Sequence, residues 1–148
     1  MDKTFGAKEE NLQYWDRPGA YLLLVKDGCL AVARTPEGYY LLGGGIDPGE
    51  THEECILREC MEETGCTARV EGYIGSAEVY CRHSELGYFH PIQYYYSGQL
   101  GERIAEPIET DHTLEWIPIN EAEWKLNVKP QIWAVKRLLG CPDADFFA

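Results

Sequence analysis

Three consecutive glycines, Gly43 to Gly45, lead through Ile46-Asp47-Pro48-Gly49 to Thr51, and from there helical spacing runs to Thr64 and stops at Gly65. No other stretch limits the fold as tightly. Glycine runs and a Pro-Gly pair interrupt regular structure, so Gly43 to Gly49 is expected to be a loop that ends a short strand at Tyr39–Leu42. Thr51 with Glu54 three residues on has the spacing of a capping box, in which each side chain satisfies the other residue's backbone N–H, and Gly65 supplies the stop. On that helix Ile56, Leu57, Cys60, Met61 and Thr64 are expected to face inward. Glu59, Glu62 and Glu63 stand at i, i+3 and i+4, which brings three carboxylates out together on another face.

Around this junction the periodicity is mostly that of strands. Ala20 to Lys26 is apolar and β-prone, Asp27-Gly28 is a hairpin turn signal, and Cys29 to Arg34 returns as a second strand. Thr67 to Tyr80, His90 to Leu100 and Thr113 to Ile119 read as further strands. Glu121 to Leu126 reads as a short helical piece, and Pro130 opens a closing helix carrying Ile132, Trp133, Val135, Leu138 and Leu139 on its apolar face. The order β-β-β-α-β-β-β-α predicts a mixed α/β domain in which helices cover a sheet. With 148 residues and neither repeat nor linker, residues 1–148 are expected to form one domain.

Thirteen basic against twenty-five acidic side chains leave a formal charge of −12. That balance argues against free-standing affinity for a nucleic-acid backbone or an anionic membrane, both of which need clustered cations. The longest apolar run, Ala20 to Val25, falls far short of the ~20 residues that span a bilayer. The opening residues have no signal-peptide apolar stretch, so a cytoplasmic location is expected. Cys29, Cys55, Cys60, Cys66, Cys81 and Cys141 include no C-x-x-C pair, which favours reduced, mostly buried thiols over a disulfide or zinc framework.

The acidic face of the helix carries the chemistry. Glu59 and Glu63 repel by a few tenths of a kcal/mol on a bare helix, and Glu62 adds a third charge. Such a patch is expected to recruit a hard divalent cation, because carboxylate oxygens suit Mg²⁺ or Mn²⁺ and Mg²⁺ favours a few carboxylates together with substrate phosphates. Arg58 can reach back to Glu54 or forward to Glu62 and hold a carboxylate by a bidentate pair. The glycine loop leaves backbone groups free to approach a metal or phosphate beside the positive end of the helix.

The stretch Gly44 to Cys66, GGIDPGETHEECILRECMEETGC, resembles the Nudix box of the MutT-like hydrolases, G-x5-E-x7-R-E-U-x-E-E-x-G-U with U a bulky apolar residue. Gly44, Glu50, Arg58, Glu59, Glu62, Glu63 and Gly65 fill every glycine and charged position, a coincidence with a chance expectation on the order of 10⁻⁵. The two U positions hold the smaller Cys60 and Cys66, and Leu42 stands where many members have proline. The resemblance implies an α/β/α sandwich around a mixed sheet. It also implies hydrolysis, by water attack on phosphorus, of a pyrophosphate bond in a nucleoside diphosphate-linked compound or a nucleoside triphosphate. Transferred residue by residue, Glu59, Glu62, Glu63 and the Gly43 carbonyl would hold Mg²⁺ or Mn²⁺, Arg58 would orient a box glutamate, and Glu50 would tie down the loop. Glu59 would also position or deprotonate the water. Three glutamates repel a diphosphate unless cations lie between them, so near-absolute metal dependence is expected. The implied partner is a small nucleotide-type molecule, with no nucleic-acid polymer and no membrane, and a homodimer is left open.

In many members of the family a glutamate on a later loop is the general base, and Glu78, Glu85, Glu106, Glu109 and Asp111 are candidates for that role here. Tyr94 to Tyr96, with Tyr88 and Phe89, could stack a nucleobase, but consecutive aromatics in a strand more often serve sheet packing. His83, His90 and His112 read as surface residues. Two further readings stay open: a catalytically silent module that senses a nucleotide or nucleotide sugar, and an isomerase of diphosphate esters on the same fold.

Overall fold

The structure, a computed structural model, describes residues 1–83, 85 and 87–140. Its strands are β1 (Lys3–Phe5), β2 (Trp15–Leu23), β3 (Val25–Lys26), β4 (Cys29–Thr35), β5 (Gly38–Gly45), β6 (Cys66–Val79), β7 (Cys81–His83), β8 (Gly87–Arg103) and β9 (Thr113–Pro118). The helices are α1 (His52–Thr64), α2 (Ala122–Lys125), entered through a 3₁₀ turn at Ile119–Glu121, and α3 (Lys129–Leu138). The strands follow one another across the sheet as β1-β6-β8-β2-β5-β4-β3, with β7 beside β8 and β9 beside β4. The sheet is mixed, because β1 runs parallel to β6 and β2 parallel to β8 while the other pairs are antiparallel.

Alternation along β2 and β5 sends neighbouring side chains into two separate cores. Ala20, Leu22 and Leu42 pack with Cys55, Ile56 and Cys60 of α1. Leu23 and Leu41 pack with Trp133, Ala134 and Val135 of α3, together with Phe5 and Tyr95. Helices therefore cover both faces, as the expected α/β/α sandwich requires. Ile56 is fully enclosed, and burial of such a side chain contributes about 1.5–3 kcal/mol.

Several boundaries differ from the sequence expectation, each for a physical reason. Asp27 and Gly28 do adopt the two positive-φ positions of a tight hairpin (52° and 77°), but that turn closes only β3 onto β4. The longer β2 pairs with β5 and β8 instead. The glycines do not end the third strand. Gly43, Gly44 and Gly45 lie within β5, opposite Tyr21, Ala20 and Gly19. Gly43 holds a φ of 136°, and a Cβ there would collide with the Ala20 carbonyl, so glycine is what lets this strand run on. Leu57 and Leu139 are 38% and 51% exposed, at the margins of faces expected to be buried. Strands β1 and β7, of three residues each, are too short for a periodic signal. Cys29, Cys55, Cys60, Cys66 and Cys81 carry free thiols, and Cys141 lies outside the described residues. No helix among the described residues is long and apolar enough to cross a membrane.

Candidate active site

The capping box fixes where α1 begins. The Glu54 N–H donates to Thr51 Oγ1 and the Thr51 N–H to Glu54 Oε1, both at 3.1 Å, and Gly65 closes the helix in the left-handed conformation with φ 74°. Glu54 is thereby occupied, so Arg58 does not turn back to it. Arg58 instead makes a two-pronged contact with Glu50, Nε to Oε2 at 2.7 Å and Nη2 to Oε1 at 2.9 Å. Its Nη1 donates to Glu59 Oε1 (3.0 Å) and Glu62 Oε2 (3.2 Å), and Nη2 also donates to the Gly45 carbonyl (2.9 Å). One guanidinium thus ties the strand, the loop and the helix together. The Arg58 hydrogen bonds hold the Glu50 carboxyl down to about 2, helped by the Asp47 N–H.

The three helix glutamates do not share one exposed face, as their spacing had predicted. Glu59 and Glu62 are partly covered, whereas Glu63 is 3% exposed and sits beneath them. Glu63 Oε1 accepts the Gly43 N–H at 2.9 Å, and Oε2 lies 3.1 Å from His112 Nδ1. Burial pushes the Glu63 carboxyl up to about 7 in spite of both contacts. Burial also raises Glu59, and the charges of Glu62 and Glu109 push the same way against Arg58. The Glu59 carboxylate lies against Gly44, where a Cβ would stand 2.6 Å from its Cδ. Gly44 therefore makes the space that Glu59 fills.

Residues 104–112 bring further groups to this end of α1. The amides of Ile104 and Ala105 donate to the Gly65 carbonyl and those of Ile108 and Glu109 to the Glu62 carbonyl, satisfying acceptors that a helix C-terminus leaves open. Glu109, Asp111 and His112 then offer ligand atoms within 4.8 Å of one another. A cavity of about 560 Å³ beside them is lined by Glu63, Arg103, Glu106, Glu109 and His112 among others. Of the later-loop carboxylates named from sequence, Glu109 and Asp111 thus reach the site. Glu106 reaches the cavity but is exposed and pairs with Arg103 at 2.8 Å. Glu78 is engaged elsewhere, with His90 and Thr4, and Glu85 sits in the turn between β7 and β8. His112 was missed as a site residue and His90 as a buried one, because no local spacing tells a surface histidine from one that the fold folds inward. Tyr94 lies beside His52 (4.2 Å between ring centroids) and Tyr96 bonds to it, while Tyr95 is buried in the α3 core.

The donor set fits a hard divalent ion. It consists of carboxylate oxygens, one of them buried, and Arg58 engages a single oxygen each of Glu59 and Glu62. Like charges gathered in this way are stabilised by a cation between them.

The NUDIX domain family matches this chain over residues 14–139. The NAD-capped RNA hydrolase NudC of Pseudomonas entomophila (strain L48) is 31% identical over 108 residues, which make up 70% of this chain and 37% of that protein. This chain therefore spans well under half the length of that relative. A NUDIX hydrolase from Nitrosomonas europaea superposes with a TM-score of 0.73 at 18% identity, over 88% of this chain and 95% of that one. The MutT protein from Methanosarcina mazei Go1 superposes with a TM-score of 0.69 at 19% identity, over 88% and 97%. At these identities the superpositions speak for the fold, and together with the domain match and the filled box they establish that this chain belongs to the Nudix family.

Proposed function

We propose that this protein is a metal-dependent pyrophosphohydrolase that cleaves a phosphoanhydride bond in a small nucleotide-type substrate. One observation carries the reading: Glu59, Glu62 and the buried Glu63 converge at the end of a helix locked to a glycine strand by Arg58, so the carboxylates are fixed before any ligand arrives. Glu59, Glu62 and Glu63, with the Gly43 carbonyl, would hold Mg²⁺ or Mn²⁺. The bound ion would neutralise phosphate charge and stabilise what develops in the transition state. Arg58 keeps Glu59 and Glu62 oriented, and Glu50 anchors Arg58. Hydrolysis breaks the P–O–P linkage and forms a P–O bond to water, whose proton must pass to a carboxylate. We assign that role to Glu109, which is half-buried on the docked loop and close enough for its charge to act on Glu59.

The NudC relative is named for NAD-capped RNA, and the NAD cap carries the bond type proposed here. The charge of −12 makes a small molecule the favoured substrate over a polymer held by its phosphates. The test is a product-release assay with Mg²⁺ or Mn²⁺ over nucleoside triphosphates, NAD⁺, nucleotide sugars, dinucleoside polyphosphates and an NAD-capped oligoribonucleotide, with Glu63→Gln alongside. Metal-dependent release that disappears in Glu63→Gln is expected. No release from any of these compounds would overturn the reading and favour a sensing module, whereas rearranged product without phosphate or nucleotide release would favour an isomerase.

A further inference from the structure

Two arginines converge on Gly45, and only one of them is committed. Arg58 reaches the Gly45 carbonyl and is otherwise taken up by Glu50, Glu59 and Glu62. Arg17, on β2, approaches Gly45 from its Cα side: a Cβ at Gly45 would stand 3.3 Å from Arg17 Nη2, 3.6 Å from Nε and 3.8 Å from Cζ. The guanidinium is laid edge-on along a strand that has no side chain to hold it away. Arg17 is exposed, and its side chain makes no hydrogen bond or ion pair among the described residues. In a chain with nearly two acidic side chains for each basic one, a guanidinium this close to a carboxylate site with no carboxylate taking it up stands out.

Its neighbours show which way it faces. Arg17, Gly19 and Tyr21 share one face of β2, and Gly19 and Tyr21 pair with Gly45 and Gly43 of β5. The Tyr21 ring lies across Gly19 and Gly43. Burial dominates the environment of the Tyr21 hydroxyl, and the charges of Arg17, Glu59 and Glu63 all reach it. Gly45, under Arg17, follows Gly44, against whose opposite face Glu59 rests, so guanidinium and carboxylate flank the end of β5 from its two sides, with adjacent Cα atoms about 3.8 Å apart. A guanidinium presents parallel N–H donors that match two phosphate oxygens.

We propose that Arg17 is a substrate-binding residue that grips the phosphate chain of a nucleoside di- or triphosphate group while the glutamates of α1 hold its metal. This rests on the pyrophosphohydrolase reading above and adds to it a cation that lies outside the box. It divides the charge balance of the site in two. A bound divalent ion would screen the phosphates from the carboxylates, and Arg17 would meet the phosphate charge left uncovered.

The test compares wild type, Arg17→Ala and Arg17→Lys, using ADP binding in Mg²⁺ by calorimetry and Mn²⁺ binding by electron paramagnetic resonance. Arg17→Ala is expected to weaken ADP binding at least ~10-fold, with Arg17→Lys recovering part of it because a point charge lacks the two-pronged geometry. Mn²⁺ affinity and melting temperature should be unchanged, since the side chain is exposed and touches no metal-site carboxylate. With a turned-over substrate, Arg17→Ala should raise KM more than it lowers kcat. Equal ADP affinity in wild type and Arg17→Ala overturns the proposal, as does a wild type that does not bind ADP. The hydrolase reading is tested separately by turnover in Glu63→Gln, so either can fail without the other.

Discussion

Glu50 and Glu63 belong to one motif and one small region, yet they sit in opposite environments. Glu50 is fixed by a cation supplied by the chain itself, and the two-pronged Arg58 contact holds its carboxyl down to about 2. Glu63 is buried, its carboxylate hydrogen-bonded among the described residues to the Gly43 N–H and His112, and that burial pushes its carboxyl up to about 7. The first end of the motif is electrostatically complete without a ligand. The second carries a charge that the protein alone compensates poorly, which is the condition under which an added cation is bound strongly. A motif of seven fixed residues thus divides into a scaffold half and a receptive half.

The contrast can be broken from either end. The largest expected effect is on turnover: Glu63→Gln should lower the rate of product release at least ~10²-fold, and near-wild-type turnover would remove Glu63 from its assigned role. The same substitution should leave the metal-free fold intact and raise its melting temperature at pH 8, because a neutral amide replaces a buried charge.

Arg58→Ala should act mainly on stability. It strands Glu50, which is only 13% exposed at its side chain, together with parts of Glu59 and Glu62. Discounted for the partial exposure of Arg58, the loss should be about 2 kcal/mol in urea denaturation. Arg58→Lys should restore less than half of it, and full restoration would show that charge alone, without the forked geometry, holds the loop.

The pH dependence of the metal-free protein sharpens the comparison, because the two glutamates act in opposite directions. The Glu63 carboxyl is raised, so its contribution is fully present below the ordinary value of 4.5 and is lost as pH rises through about 7. The Glu50 carboxyl is lowered, so its contribution is present above 4.5 and is lost as pH falls toward 2. Thermal melts in EDTA should therefore fall between pH 5 and 8 by an amount equivalent to at most a few kcal/mol, and Glu63→Gln should remove most of that slope. A slope that Glu63→Gln leaves unchanged would show that Glu63 is not the group responsible. The smallest effect is a control: Thr51→Ala, which removes the helix cap but neither carboxylate environment, should cost about 1 kcal/mol with turnover within about twofold of wild type.

Much of this site could be read from the sequence because its contacts are short in chain distance or fixed by helical period. The capping box, the Gly65 stop and the grouping of Glu59, Glu62 and Glu63 all follow from local spacing. What could not be read depends on what is packed above the helix. Glu63 differs from Glu62 only through β5 and residues 104–112, which bury one and leave the other at the margin. The choice of Glu50 over Glu54 by Arg58 depends on the loop folding back from the strand and on the capping box already holding Glu54. The cluster in which His90 bonds to both Asp16 and Glu78 at 2.8 Å joins three strands across as many as 74 residues, and no periodicity reports such a meeting. The glycine run was misread for a related reason. Its conformational freedom is used to bring a strand close to Tyr21 and Glu59, and that purpose is visible only once both neighbours are in place.

The segment that delivers Glu109 and His112 is attached to the end of α1 through main-chain amides at 104, 105, 108 and 109, while the side chains of Ile104 and Ile108 are 63% and 72% exposed. Its anchorage is therefore written in atoms that every residue except proline possesses. Substitutions along it can exchange the groups offered to a substrate without unfastening the segment, and proline at one of the four anchoring positions is the change that would. An evolving lineage, or an engineer, can treat residues 104–108 and 110–111 as a replaceable cartridge on a fixed mount and change what lines the cavity there while α1 and the proposed role of Glu109 stay as they are.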